Sequence, residues 1–313
     1  MCPYFRKEDG NNKYRAKDYK GSLTAYSKAI ELDPENPAYY SNRAAAYLMN
    51  LQFSEAVKDC DRVIALAPAT AKAHFRRATA LKSQGKIEEA LTSLSDGLAH
   101  DPTNSVALND VKSLSDAKQK LTATKQLMEQ KKFRQALPQI DALLHQLGSS
   151  VWELNLMKVE ALLELQRMQD AYNLTNMLMR TSSHVDVQLL RLRARCLYDM
   201  GDLENAVKHL QQALRSDPDN TEVRTWYRKL REIEDNKSRG ATAYAAGLYQ
   251  EAVDLWRSAV ALDKMHHGVN AKLHCNCANA FAKMKKHEDC VSECDKAIRC
   301  NPQFAKAYMR RAE

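Results

Sequence analysis

The pattern of apolar and polar residues along the chain predicts short helices that recur in pairs. Segments that start at Lys7, Arg76, Arg193 and Arg239 share a small residue in a first helix, a turn and an alanine early in a second helix. A proline usually closes the unit, and three closing prolines are spaced 34 residues apart: Pro34, Pro68 and Pro102. A helix–turn–helix unit with a fixed period predicts an all-α solenoid, because stacked hairpins bury one continuous core.

Small residues mark the sites where the paired helices would cross. They occupy a first-helix position at Gly10, Ala44, Ala78, Ala194, Gly240 and Ala278, and a second-helix position at Ala56, Ala90, Ala136, Ala171, Ala206 and Ala252. Two helix axes approach to about 8–9 Å only where small side chains face each other. Larger side chains are expected to fill the space between units: Tyr19, Phe53, Ile87, Phe133 and Tyr249. Each closing proline ends its helix because it has no N–H to donate.

The pattern predicts eight repeats and the start of a ninth at residue 305. Their predicted ranges are 3–36, 37–70, 71–104, 117–150, 152–185, 187–220, 233–266 and 271–304. The intervals 105–116 and 221–232 are expected to be helices that extend or cap a block of three repeats. Three blocks follow: 1–116, 117–232 and a truncated 233–313. The middle block is the least regular, since Gly148 replaces the closing proline and Val159 the small first-helix residue.

The 34-residue period and these positions resemble the tetratricopeptide repeat family over nearly the whole chain. The resemblance implies an all-α superhelix whose first helices line a concave groove. Such scaffolds bind peptides or proteins. We therefore expect a binding protein, without a cofactor, rather than an enzyme.

Five polar residues in the first three first helices stand out: Lys7, Asn11, Asn42, Lys72 and Arg76. Two pairs are spaced i and i+4, so each pair lies on one helix face. Three cations and two amides make a site for two neighbouring carboxylates, which a chain-terminal Asp would supply. Ionised hydrogen bonds are strong, and Arg can bind a carboxylate through two parallel bonds.

The same five residues resemble the carboxylate clamp of chaperone cofactors. Clamp domains bind the C-terminal EEVD sequence of the seventy- and ninety-kilodalton heat-shock chaperones. The resemblance implies that Lys7, Asn11 and Asn42 hold the α-carboxylate, while Lys72 and Arg76 meet acidic side chains.

A partial second set occupies the corresponding positions of the third block: Lys237, Asn276, Lys306 and Arg310. Ala241 replaces the second clamp residue, so one donor to the terminal carboxylate is lost. This site is expected to bind weakly or to prefer another partner, or it is a relic of repeat duplication. The middle block shows no such set.

Three blocks with clamp residues in the first and last resemble the J-domain cochaperone family known as DnaJ homolog subfamily C member 7. Members of that family carry nine repeats followed by a J domain, which a His-Pro-Asp tripeptide identifies. This sequence contains no such tripeptide and ends at Glu313, nine residues into a first helix. We expect a truncated or divergent short form, to which the J-domain activity is not assigned. The stress-inducible organising cochaperones also have nine repeats but separate their blocks with additional domains.

The net charge of +8 leaves other binding roles open. A general protein scaffold with solvated lysines explains it. A nucleic-acid-binding helical repeat is the less favoured alternative, since it needs basic residues along one face and exposed aromatic rings for stacking, and no nucleic-acid partner is expected. The charged start, the lack of eighteen consecutive apolar residues and eight unpaired cysteines predict a cytoplasmic chain without a membrane segment.

Two further groups of residues are interpreted as structural. Cys275, Cys277, Cys290 and Cys294, near His274, have the composition of a zinc site, but three of them fall at positions that the repeat buries. Trp152, Trp226 and Trp256 have helix-packing spacing. His266 and His267 are expected to be solvated in a loop between helices.

Overall fold

The computed structural model describes residues 2–181 and 186–312, and these residues form α-helices joined by short turns. No strand occurs within those ranges, which confirms the all-α prediction. The helices of the first half are α1 (Pro3–Arg15), α2 (Tyr19–Leu32), α3 (Pro37–Met49), α4 (Phe53–Leu66), α5 (Ala71–Ser83), α6 (Ile87–His100), α7 (Ser105–Glu129), α8 (Phe133–Leu147) and α9 (Trp152–Glu164). The remaining helices are α10 (Met168–Thr181), α11 (Val187–Asp199), α12 (Leu203–Ser216), α13 (Thr221–Ala245), α14 (Tyr249–Leu262), α15 (His267–Lys283), α16 (His287–Cys300) and α17 (Ala305–Ala312).

Most predicted repeats begin where a helix begins. The starts at residues 3, 37, 71, 152, 187 and 305 coincide with the first residues of α1, α3, α5, α9, α11 and α17. The eighth repeat starts earlier than predicted, because α15 begins at His267 rather than at 271. The end of the fifth predicted repeat, residues 182–185, lies outside the described residues.

The two intervals between predicted blocks are parts of long helices. Residues 105–116 are continuous with the next first helix in α7, and residues 221–232 are continuous with the next first helix in α13. Asn104 and Asn220 cap these helices by accepting the N–H of Ala107 and Val223 at 3.0 and 3.1 Å. Both helices extend the preceding repeat, as the pattern allowed, and both bury apolar side chains such as Leu114 and Leu230.

Small residues lie at the helix crossings. The alanines predicted at these crossings are all buried. At Gly10, a Cβ atom would overlap the ring of Tyr26, and at Gly240 it would overlap the indole of Trp256. The middle block instead buries the larger Val159 at this position. The requirement for a small residue at the helix crossing is therefore strictest where the facing helix presents an aromatic ring.

Two compact units divide the chain, residues 1–161 and 162–313. Fully buried side chains in the first unit include Tyr26, Leu81 and Ile140. One hydrophobic cluster in the second unit contains Leu210, Leu230 and Trp256. Among the described residues, no helix is both long and apolar enough to cross a bilayer. The division into three blocks stays a prediction.

A hydrogen bond from an arginine on a first helix to a residue on the following second helix recurs at one repeat position in both units. We call this contact the node. Arg43 forms two bonds to the buried carboxylate of Asp59, at 2.8 and 2.7 Å. In the second unit Arg193 takes the place of Arg43 and His209 that of Asp59, with Nε of Arg193 donating to Nε2 of His209 at 3.2 Å. Arg193 is 8% exposed and pairs with no carboxylate of the described residues. A second nitrogen of the imidazole, Nδ1, is buried without a hydrogen-bond partner.

We predict that His209→Asp stabilises the second unit. The carboxylate would pair with Arg193 as Asp59 pairs with Arg43, and the orphaned imidazole nitrogen would be removed. A charged hydrogen-bonded pair at a site that already buries the cation should raise the free energy of unfolding by about 1–3 kcal/mol. Urea unfolding monitored by circular dichroism measures this. An Asp variant that is no more stable than the original chain would contradict the interpretation of the node.

The same substitution should change how stability depends on pH. Burial, and then the charge of Arg193, lower the pKa of His209 in the folded chain. The unfolded state therefore takes up the proton first, so the free energy of unfolding falls as the pH drops below the ordinary histidine pKa of about 6.5. Unfolding at pH 7.5 and pH 5.5 should show a smaller difference in the Asp variant than in the original chain.

Candidate peptide-binding groove

The two asparagines of the predicted clamp are in direct contact. Asn42 on α3 donates from Nδ2 to Oδ1 of Asn11 on α1, at 3.2 Å. The hydroxyl of Tyr26 on α2 donates to the same oxygen at 2.8 Å. Because two donors occupy that oxygen, the orientation of the Asn11 amide is fixed. Its NH₂ group donates to Glu8 at 3.0 Å, which uses one of its two protons.

Arg76 on α5 joins this pair through the neighbouring residue of α3. Its Nη1 donates to the carbonyl oxygen of Ser41 at 2.5 Å and to the hydroxyl of Ser41 at 2.6 Å. Ser41 directly precedes Asn42 in the chain. The structure thus links Arg76 to the residue before Asn42, and Asn42 to Asn11, although the three clamp residues lie on different helices.

Both clamp lysines lie one helical turn before a clamp residue. Lys7 is half-buried, with its Nζ 6.0 Å from the centre of the Tyr4 ring, and Lys72 is exposed. Neither forms an ion pair or hydrogen bond with another described residue. They share a helix face with Asn11 and Arg76 respectively. Lys7 and Lys72 form no hydrogen bond with the other three clamp residues, so their ammonium groups are available to a ligand.

Arg76 differs electrostatically from Arg43, which is also a partly buried arginine of the first unit. Burial lowers the pKa of Arg76, and no carboxylate of the described residues pairs with it. Hydrogen bonding to Asp59 instead raises the pKa of Arg43. Arg43 is therefore a compensated structural cation, whereas Arg76 is a desolvated cation without a counter-ion. Burial also raises the pKa of Tyr26 to about 12, so its hydroxyl remains a proton donor to Asn11.

The third block retains only part of this arrangement. Lys237 on α13 pairs with Glu234 at 2.7 Å, and Ala241 offers no polar group. Asn276 is half-buried on α15, and Lys306 is exposed on α17. The positive charges of Arg310 and Lys306 act on the thiol of Cys275, which occupies the position of Ser41. No direct hydrogen bond between Lys237 and Asn276 is formed.

All four cysteines near His274 are buried, consistent with their positions in the repeat. Burial raises the pKa of Cys275, Cys277 and Cys294, so these thiols stay protonated. Nδ1 of His274 lies 2.6 Å from the buried carboxylate of Glu293. No group of three or more potential metal ligands is found in residues 2–181 and 186–312.

The prediction that His266 is a solvated loop residue was wrong. Its Nδ1 accepts the N–H of Val269 at 3.0 Å and so caps α15. Its ring packs on Tyr198, with centroids 3.8 Å apart. Histidine is not among the preferred capping residues, so no helix-start signal was visible in the residue pattern there. His267 is exposed, while Trp256 is buried and Trp226 packs against the core of the second unit.

Sequence reasoning missed Tyr26 and Ser41, which orient clamp residues without being clamp residues. The glycine at position 10 could have indicated the role of Tyr26. A glycine at the crossing admits a ring that the alanines of other repeats would exclude. No comparable signal marked Ser41, whose role depends on the side-chain direction of Arg76.

Comparison with known proteins identifies the repeat. Two family models match, described as TPR repeat over residues 10–50 and tetratricopeptide repeat over residues 187–220. The crystal structure of the P58(IPK) TPR domain superimposes with a TM-score of 0.81, covering 99% of this chain and 87% of that one, at 18% identity. The chain carries tetratricopeptide repeats. The predicted fold family is therefore confirmed.

The chain is also homologous to curated proteins. DnaJ homolog subfamily C member 7 of Homo sapiens is 30% identical over 307 residues, which cover 98% of this chain. The corresponding homolog of Dictyostelium discoideum is 30% identical over 314 residues. The chain spans 62% and 57% of the lengths of these two relatives. The resemblance inferred from the repeat blocks is confirmed.

One prediction separates a structural from a ligand-binding arginine. Arg43→Ala should leave the carboxylate of Asp59 buried and unpaired, lowering the free energy of unfolding by about 3–5 kcal/mol. Arg76→Ala should change it by less than about 1 kcal/mol, because the variant also removes an uncompensated desolvated charge. Urea unfolding of both variants tests this. Equal destabilisation would show that Arg76 is structural.

Proposed function

We propose that the first block is a carboxylate clamp that binds the C-terminal EEVD tails of the seventy- and ninety-kilodalton heat-shock chaperones. The observation that supports this most directly is the environment of Arg76. It is a desolvated cation without a counter-ion, held by Ser41 next to the Asn11–Asn42 pair. A cation that loses hydration on folding gains most from an anion that arrives later.

Each clamp residue has a distinct role in this proposal. Lys7, Asn11 and Asn42 hold the terminal α-carboxylate, the lysine through charge and the amides through N–H groups. Lys72 and Arg76 bind acidic side chains of the tail. The amides add donors without adding charge, so they do not increase the repulsion between the cations.

The chain would act as a cochaperone adaptor rather than as an enzyme. Homology to DnaJ homolog subfamily C member 7 over nearly the whole chain is consistent with this role. Concave repeat surfaces suit extended peptides, and a chaperone tail is an extended peptide with a free carboxylate. The clamp of the third block would bind such a tail more weakly, because Ala241 lacks an amide and Glu234 already neutralises Lys237.

We predict that a peptide ending in EEVD with a free carboxylate binds with a Kd on the order of micromolar. Amidation of its terminus should weaken binding at least about tenfold, because the donors of Lys7, Asn11 and Asn42 lose a charged acceptor. Isothermal titration calorimetry with both peptides gives the ratio. Equal affinity for the two peptides would exclude the terminal-carboxylate clamp.

A matched pair of arginine variants tests the site itself. Arg76→Ala should reduce affinity about tenfold or more. Arg77→Ala removes the same charge from the same helix, but Arg77 pairs with Asp61 at 2.6 Å and should leave the affinity within about twofold. Lys237→Ala should also have a small effect. If both arginine variants weaken binding equally, the effect is general electrostatics and not the clamp.

A further inference from the structure

A pocket of about 350 Å³ lies in the second unit, where the second half of α11, the start of α13 and the turn between α14 and α15 meet. Its lining includes Arg195, Tyr198, Asp199, Trp226, Asp263 and His266. None of its described lining residues belongs to the two predicted clamp sets. The volume lies at the small end of the range for ligand sites and is enough for one large side chain.

Two aromatic rings form walls of the pocket at nearly right angles. The ring centroids of Tyr198 and Trp226 are 6.4 Å apart, and the ring planes make an angle of 80°. The imidazole of His266 lies against Tyr198 and covers part of that ring. Trp226 is half-buried, whereas Tyr198 is only 4% exposed, so the indole has more surface left for a ligand. An indole face attracts cations more strongly than the other aromatic rings do.

The carboxylate of Asp199 is the acceptor that the pocket leaves without a hydrogen bond. Its Oδ1 is 3.7 Å from Nε2 of His266, and its Oδ2 is 3.7 Å from Nε of Arg195. Both distances exceed the length of a hydrogen bond. Neither oxygen accepts a hydrogen bond from any other described residue. The side chain is 22% exposed, so a ligand in the pocket can reach it.

Among the described residues, each other charged side chain that lines the pocket has an oppositely charged partner within hydrogen-bond distance. Three ion pairs account for them: Arg195–Glu164 at 2.7 Å, Arg191–Glu222 at 3.0 Å and Lys229–Asp263 at 2.7 Å. His266 adds no positive charge while its Nδ1 accepts the N–H of Val269, because that nitrogen then carries no proton. The charge of Asp199 is therefore the one that no such pair neutralises.

We propose that this pocket binds an arginine side chain of a partner polypeptide. The guanidinium donates two parallel bonds to the carboxylate of Asp199, and its plane stacks on the indole of Trp226. The ammonium of a lysine is compact and has no plane to stack, so it fits this site less well. A free arginine would also bring an α-carboxylate, for which each cation of the lining already has an acidic partner. The ligand is therefore an arginine within a chain.

Blocked tripeptides titrated into the full chain test the proposal. The probe is acetyl-Gly-Arg-Gly-amide, and binding is followed by NMR at the methyl group of Met265, which lines the pocket and is 80% exposed. The arginine peptide should bind with a Kd on the order of millimolar. A citrulline peptide, which keeps the planar shape but not the charge, should bind at least about fivefold more weakly, and a lysine peptide at least about threefold. Equal affinity of either peptide would overturn the proposal, and so would a Met265 resonance that does not respond to the arginine peptide.

Two variants and a matched control assign the binding to this pocket. Asp199→Asn keeps the shape of the side chain but removes its charge, and should weaken binding of the arginine peptide at least about fivefold. Trp226→Leu removes the indole face and should weaken it at least about threefold. Glu204→Gln removes the same charge from α12, where Glu204 pairs with Lys208 at 2.6 Å outside the pocket, and should leave the affinity within about twofold. Circular dichroism confirms that each variant is folded. An unchanged affinity in Asp199→Asn, or an equal loss in Glu204→Gln, would overturn the proposal.

Free L-arginine separates the two sources of a guanidinium group. It should bind at least about twofold more weakly than the blocked peptide, because its α-carboxylate finds no unpaired cation in the lining. L-arginine that binds as tightly as the peptide, or more tightly, would overturn the assignment to a polypeptide. The probes are cations, whereas the predicted clamp binds anions, so failure of these tests does not bear on the proposed function.

Discussion

The close crossing of α1 and α2 at Gly10 is the contact on which the proposed binding site depends. Because Gly10 has no Cβ, the ring of Tyr26 lies against the backbone of α1. The ring position brings the Tyr26 hydroxyl to the side chain of the next residue, Asn11. A packing requirement between two helices thereby fixes the orientation of a polar group in the groove. Without the glycine, the amide would lose one of the two donors that hold it.

Burial of positive charge has two different outcomes on this scaffold. The two bonds from Arg43 to Asp59 link two helices of one repeat and raise the pKa of Arg43, although burial still raises the pKa of the Asp59 carboxyl. Arg76 has only neutral oxygen partners, so part of its desolvation is uncompensated in the free chain. Arg193 and His209 are intermediate, with a neutral ring in place of the carboxylate. Neighbouring repeat positions therefore serve packing at Arg43 and, in the proposed function, ligand binding at Arg76.

The sequence predicted the fold well because the repeat signal depends on small residues and turn positions, which few alternatives satisfy. It also predicted Asn11, Asn42 and Arg76 as site residues on three helices. Asn42 donates to Asn11, and Arg76 donates to Ser41, the residue before Asn42; their role in binding stays a prediction. The role of Ser41 could not be predicted, since it follows from the direction of one arginine side chain. The pattern predicted a helix over 221–232 but not its fusion with the next first helix. No proline or glycine interrupts residues 221–239, and the two segments form one helix. His266 was misjudged because its capping bond uses an imidazole nitrogen, which the pattern of capping residues does not anticipate.

The 25-residue helix α13 has a consequence for how this architecture can change. It is a continuous rod of about 37 Å that carries Trp226 near one end and Lys237 beyond its middle. One inserted residue between them would rotate everything that follows, Lys237 included, by about 100° relative to Trp226. An insertion of seven residues, close to two full turns, would keep the angular phase and lengthen the rod by about 10 Å. The spacing between the two repeats that α13 joins is thus quantised by helical turns, and intermediate spacings would need the helix to break.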